Sequence, residues 1–136
     1  MKNFIKLFGI ITVAALIGFS MVGCSPGGNN DYDLINGVWE GDGTTITING
    51  SIGRFSAIAT GANWKTLFDN GMLKIGDPKF RNIVKGSSLY EWRGEILWIN
   101  NQRQVTWVSN AQFVLAPDSK VLRVNSTSGN KTYQRK

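Results

Sequence analysis

The chain has 136 residues, 42% of them hydrophobic, and fifteen Lys and Arg against nine Asp and Glu for a net charge of +6. That fits one small folded domain; it excludes two independent domains, a disordered chain and a polycationic one. There is no His and only one Cys, which excludes a histidine-based catalytic triad, a Cys/His zinc site and an intrachain disulfide.

Taken in chain order, the first element is an uncharged run, Leu7 to Val22, preceded by Lys2 and Lys6. As a helix it would rise about 24 Å, short of the roughly 30 Å hydrocarbon core, and polar residues follow it instead of a basic cluster. Residues 1–23 therefore read as a removable export signal rather than a membrane span. Their removal takes two of the fifteen basic residues and leaves thirteen against nine acids, a net +4. At the end of the run, Met21-Val22-Gly23-Cys24 resembles the lipobox of bacterial lipoproteins, in which a small residue precedes a cysteine. The resemblance implies that the Cys24 thiol receives a diacylglyceryl group and that cleavage makes Cys24 the new N-terminus. The membrane would then be a partner through the acyl chains on Cys24, since two chains anchor stably where one is marginal. Ser25 after the cysteine resembles the pattern that permits onward transport to an outer membrane where the cell has one. Residues 24–36 would be lipidated cysteine and linker. The polar stretch Ser25 to Asp31 suits a leash, spanning about 17 Å over some ten residues by Gly-rich chain statistics.

Short alternating segments follow. Gly37 to Glu40 leads to Asp42-Gly43, Thr44 to Ile48 leads to Asn49-Gly50, and Ile52 to Ile58 comes next. With Asn49-Gly50 as a two-residue loop, Ile48 would face Ser51 and Ile46 would face Gly53. Ile46, Ile48, Phe55 and Ala57 would then share the buried side. Trp64, Leu67 and Phe68 have helical spacing, which predicts one short helix over 63–70 with Asn63 as N-cap and Gly71 as stop. Past the turn Gly76-Asp77-Pro78, strands are predicted at 79–85, 89–100, 104–108, 111–116, 120–125 and 131–134. In the longest, Tyr90, Trp92, Gly94, Ile96 and Trp98 share the inner face, with Glu91, Arg93 and Glu95 outside. About eight or nine short strands argue an all-β domain over 37–136, an antiparallel barrel or sandwich with one short helix.

Gly37-Val38-Trp39-Glu40 at the start, and Thr132-Tyr133-Gln134-Arg135 at the end, resemble the G-x-W and T-Y-x-R strands of small lipocalin-like bacterial lipoprotein domains. The resemblance implies one antiparallel barrel with its first and last strands adjacent, and a structural Trp39 closing the bottom.

No residue set promises catalysis, a metal or a cofactor. Glu91 and Glu95 lie four residues apart on an extended strand, about 13 Å, too far for a glycosidase pair, and Arg93 between them keeps both ionised. Asp31, Asp33, Glu40 and Asp42 match no calcium loop. Gly41-Asp42-Gly43-Thr44 lacks the Lys and helix of a phosphate loop. A hydrolase is the weakest reading. Lys79, Arg81 and Lys85 fall on one face of their predicted strand; they could meet lipid phosphates or an acidic partner, or simply form a solvated face that discourages edge pairing. Trp39, Trp92, Trp98 and Trp107 are assigned to the core. Trp64, beside Phe68, would either cover the barrel mouth or offer an apolar patch to a partner. The expectation is a non-enzymatic, membrane-anchored binding protein for an envelope protein, a glycan or a small apolar ligand. The alternative is a structural or assembly lipoprotein without a ligand pocket. Nucleic acid is not an expected partner.

Overall fold

The computed structural model describes residues 31–136; the segment expected to be an export signal, Cys24 and the first part of the expected linker lie outside them. Eight antiparallel strands run β1 Gly37–Gly41, β2 Thr44–Asn49, β3 Ile52–Ile58, β4 Pro78–Lys85, β5 Glu91–Ile99, β6 Val105–Leu115, β7 Val121–Ser126 and β8 Gly129–Arg135. Each pairs with the next, and β8 returns to β1 through Trp39 opposite Arg135 and Glu40 opposite Gln134, which closes a barrel. One helix, α1 Lys65–Asp69, interrupts the β3–β4 connection.

Alternation of apolar and polar residues turns one face of each strand inward, and eight strands leave a lumen about wide enough for side chains to fill. Trp39, Ile46, Phe55, Phe80, Trp92, Phe113 and Tyr133 fill it, all essentially without solvent exposure. Phe80 meets Phe113 and Tyr133 edge-on at 5.1 and 5.5 Å.

Strand parity sorts the loops. The β1–β2, β3–β4, β5–β6 and β7–β8 connections gather at one end, the mouth. The other end is closed by a strap of residues 31–36. There the Trp92 indole donates to Asp31 O, the Tyr32 hydroxyl to Ile83 O, and the Trp39 indole to Ile35 O. Arg135 stacks 4.2 Å over Trp39 and donates to Leu34 O and Asn36 O.

Several register details depart from the sequence reading. The β2–β3 loop is Gly50-Ser51, with Asn49 opposite Ile52 and Ile46 opposite Phe55. The Gly50 amide is held by Asn36 Oδ1 of the strap, so it is withdrawn from the ladder. A register shift at Thr45/Ile46 turns Ala57 to solvent while Ile46, Ile48 and Phe55 stay buried. The strands expected at 104–108 and 111–116 are one strand, β6. Asn110 takes φ 56° there and a register shift restores pairing, because the left-handed region that ends most strands is tolerated by Asn inside a bulge. The count is therefore eight.

Helix α1 is shorter than expected. Trp64, not Asn63, sits at its N-cap, and no side chain caps it. At its other end the amides of Gly71 and Met72 reach back to Phe68 O and Leu67 O, with Gly71 at φ 73°, the left-handed stop that glycine adopts without penalty.

Candidate functional site

Above Phe80, β4 parts from β5 but stays with β3, where Phe55 goes on to bond Asp77 and Gly76. The β3–β4 pairs begin at Arg54 opposite Pro78, and the β4–β5 pairs end at Phe80 opposite Ile96. Upper β3 and upper β5 thus splay apart, and the segment bearing Trp64 and α1 fills the gap. A register shift at Gly53/Arg54 makes Lys79 and Phe80 both point inward, although strict alternation would have sent one out.

Lys79 is fully buried at 0% exposure. Its Nζ donates to Leu97 O at 2.6 Å, a carbonyl just beyond the last β4–β5 pair, and lies 3.6 Å from the Trp64 ring centroid. It sits 3.7 Å from Asp42 Oδ2. Asp42, in the β1–β2 turn, also accepts from the Trp64 indole at 3.0 Å and from Lys131 Nζ at 2.6 Å. Burial pushes the Lys79 amine down to about 7 against the pull of the Asp42 carboxylate, which favours the charged form. Tyr133 lies nearby with its hydroxyl buried and unpartnered among the described residues; burial, then the Asp42 charge, pushes it well above the ordinary tyrosine value.

Two clefts open above this buried cluster. One, of about 510 Å³, is lined by Asp42, Asn63, Trp64, Trp98, Ile99, Asn100, Asn101, Thr106, Ser128 and Lys131. The other, of about 500 Å³, lies between Gly61–Thr66 and the β5–β6 hairpin and reaches Lys65 and Arg103. They share Asn63, Ile99, Asn100 and Asn101 and so form one trough across the mouth. Trp98 is half-buried in its wall, with Lys131 Nζ 5.0 Å from the ring centroid. The β5–β6 turn is built by Asn100, whose Oδ1 accepts from the amides of Gln102 and Gln104.

The residues singled out from sequence do not assemble into one site. Lys79, Arg81 and Lys85 form no stripe, because register shifts on either side of Phe80–Arg81 separate them. Lys79 is inside the mouth cluster. Arg81 is on the outer wall, stacked 3.9 Å over Trp107 and paired to Glu95 at 2.8 Å. Lys85 is at the closed end, 4.2 Å from Trp92, with its amine on the carbonyls of Ser88 and Leu89. Trp64, at 1% exposure, is a plug and not an exposed patch; Phe68 packs half-buried against Phe55 at 5.1 Å. Trp107, expected in the core, lies on the outer face, and Trp98 lies at the rim.

Glu91 and Glu95 each hold an arginine, Arg93 and Arg81 respectively. Hydrogen bonds from Arg81 and Asn82 hold the Glu95 carboxyl below its ordinary value. Cys24 lies outside the described residues. Sequence reasoning passed over Asp42, Trp98, Asn101, Arg103 and Lys131 as site residues. Strand parity carried the signal, since in an up-and-down barrel the first, third, fifth and seventh loops must share an end. Searches against family models, curated proteins and solved structures find no match to this chain.

Proposed function

We propose that the chain is an exported lipoprotein, held to a membrane by acyl chains on Cys24, whose barrel binds a ligand non-covalently in the mouth trough. The lipobox-like Met21 to Cys24 supports the anchor and Ser25 supports an outer-membrane address where there is one. The pairing of β1 with β8 and the burial of Trp39 at the closed end support the lipocalin-like resemblance.

One observation carries the binding role. The lumen is filled by aromatic side chains, while the open end keeps a trough of two adjoining clefts, each of about 500 Å³, walled by a half-buried Trp and lined by amides, hydroxyls and cations. That combination of size, one apolar wall and convergent polar groups suits a small or oligomeric ligand with both characters. It favours a glycan or a polar protein segment over a small apolar molecule, for which the filled lumen leaves little room. We read the role as one of binding, since Asp42, the carboxylate in the trough lining, is already held by Lys131, the Trp64 indole and Lys79.

The rival reading, an assembly lipoprotein of the envelope, draws support from Met72 and Ile75, exposed at 60% and 57% in the β3–β4 connection.

Two measurements test the proposal. Wild-type protein should fractionate with membranes and carry the mass of an acylated N-terminal cysteine, and Cys24→Ala should lose both; unchanged fractionation removes the anchor. Adding a detergent-solubilised envelope fraction should slow amide exchange at 63–66 and 100–104. Protection confined to the segment around Met72 and Ile75 selects the assembly reading instead.

A further inference from the structure

The trough has more hydrogen-bond donors to offer than acceptors. Its one carboxylate, Asp42, is already committed on both oxygens, to Lys131 on one and to the Trp64 indole and Lys79 on the other. Asn100 is committed too, its Oδ1 to two turn amides and its Nδ2 to Gln104. What remains is cations, side-chain amides and the hydroxyls of Thr66, Thr106 and Ser128, with no second carboxylate. Arg103 is exposed at the tip of the turn, at φ 59°, and makes no ion pair among the described residues. Lys65 is tied only to the exposed Asp69 one helical turn away, a pairing of small worth. Lys131 has donors beyond the one given to Asp42, and Asn63 and Asn101 are exposed with side chains unbonded among the described residues. A ligand rich in acceptors and negatively charged complements this lining.

The apolar part of the trough is narrow, chiefly Trp98 with Ile99 beside it. A pyranose ring has one C–H face that packs on an aromatic ring, with hydroxyls around its edge for amides. An extended peptide is served less well. It would pair with the bare edge of upper β5, yet the Leu97 carbonyl on that edge is already capped by Lys79.

Resting on the mouth reading above, we infer that the ligand is an anionic saccharide, seated with a ring against Trp98 and an acidic substituent toward Arg103 and Lys131.

The test uses full-length processed protein in detergent micelles, followed by tryptophan fluorescence and calorimetry. The probes are oligogalacturonate, a sulfated oligosaccharide, a neutral malto-oligosaccharide of the same length, and poly-glutamate. At least one anionic saccharide should bind about tenfold or more tighter than the neutral one. That preference should shrink at about 0.5 M salt, where exposed charges are screened. Arg103→Glu, an exposed position that leaves the core alone, should reverse the preference, and Trp98→Ala should weaken saccharide binding by about tenfold. Asn101→Ala provides a second weakening variant should Trp98→Ala fold poorly, and Lys120→Ala at the closed end should change nothing.

Equal binding of neutral and anionic saccharides overturns the inference but keeps the mouth. Binding of poly-glutamate alone, abolished by Arg103→Glu, replaces saccharide with acidic peptide, again at the mouth. Saccharide binding indifferent to Arg103→Glu, Trp98→Ala and Asn101→Ala overturns the mouth reading itself. Absence of binding by either anionic saccharide overturns the inference outright.

Discussion

Lys79 concentrates the energetics of the mouth in one side chain. Its amine loses hydration entirely and regains a carbonyl, an aromatic face and a distant carboxylate. Burial dominates, so the folded amine releases its proton near pH 7 whereas the unfolded one holds it to about 10.5. Between those values the unfolded state binds more protons, and stability therefore rises with pH across this window and is flat below it. The gain is on the order of a few kcal/mol at most. Urea titrations of wild type at pH 7 and pH 9.5 should show the midpoint climbing, and Lys79→Met should remove most of the climb. A wild-type midpoint that falls over that range refutes the account. The residue was visible in the sequence only as one cation of a supposed stripe, because its inward turn depends on a bulge that alternation does not announce.

At the level of elements, the β1–β2 hairpin deserves its own test. Asp42 at φ 53° and Gly43 at φ 68° form a two-residue loop between Gly41 and Thr44, the pairing of left-handed residues that matches strand twist. A Cβ on Gly43 would lie 2.5 Å from the Cβ of Ala62, so Gly43→Ala meets both backbone strain and the neighbouring connection. A loss of about 1–3 kcal/mol is expected by chemical denaturation, accompanied by weaker ligand binding because Asp42 moves with the turn. Hairpins were legible in place: Asp-Gly marked the first turn, Asn-Gly the second to within one residue, its loop being Gly50-Ser51, and the inner residues of β2 and β5 followed period two. Bulges were not, although Asn82 at φ 51° and Asn110 at φ 56° were hints, being residues of a type that tolerates such backbone inside otherwise apolar strands. Where Asn82 and Asn110 interrupt, Arg81 and Trp107 were misassigned, and with them the basic stripe and part of the core.

For the molecule as a whole, the two ends divide the labour. Residue 31 enters the strap at the closed end, and the trough opens at the other. If Cys24 carries the anchor, six residues lie between it and Asp31 of the strap, and the seven steps span at most about 25 Å of extended chain. The bilayer then lies nearest the closed end and the mouth faces away. In vesicles, an Asn101→Cys variant should react with a membrane-impermeant maleimide about as fast as it does in detergent, and an Asp118→Cys variant should react several-fold slower than in detergent. Equal slowing of both would contradict this orientation. The antiparallel all-β domain was legible from strand spacing and the one helix among the described residues from the spacing of Trp64, Leu67 and Phe68, while barrel and sandwich stayed open until the β1–β8 pairing was known. The mouth became a site only when the splay between β3 and β5 and its Trp64 plug were seen, since these arise from contacts far apart along the chain.

The β1–β8 seam has a further consequence. Trp39 waits for Arg135, ninety-six positions later, and the strap carbonyls of Leu34 and Asn36 wait with it. β1 can pair with β2 as soon as that strand is made, but its second edge has no partner until β8 exists. The ring therefore closes last, through the contact of longest sequence separation, which carries the largest loop-closure entropy in the barrel.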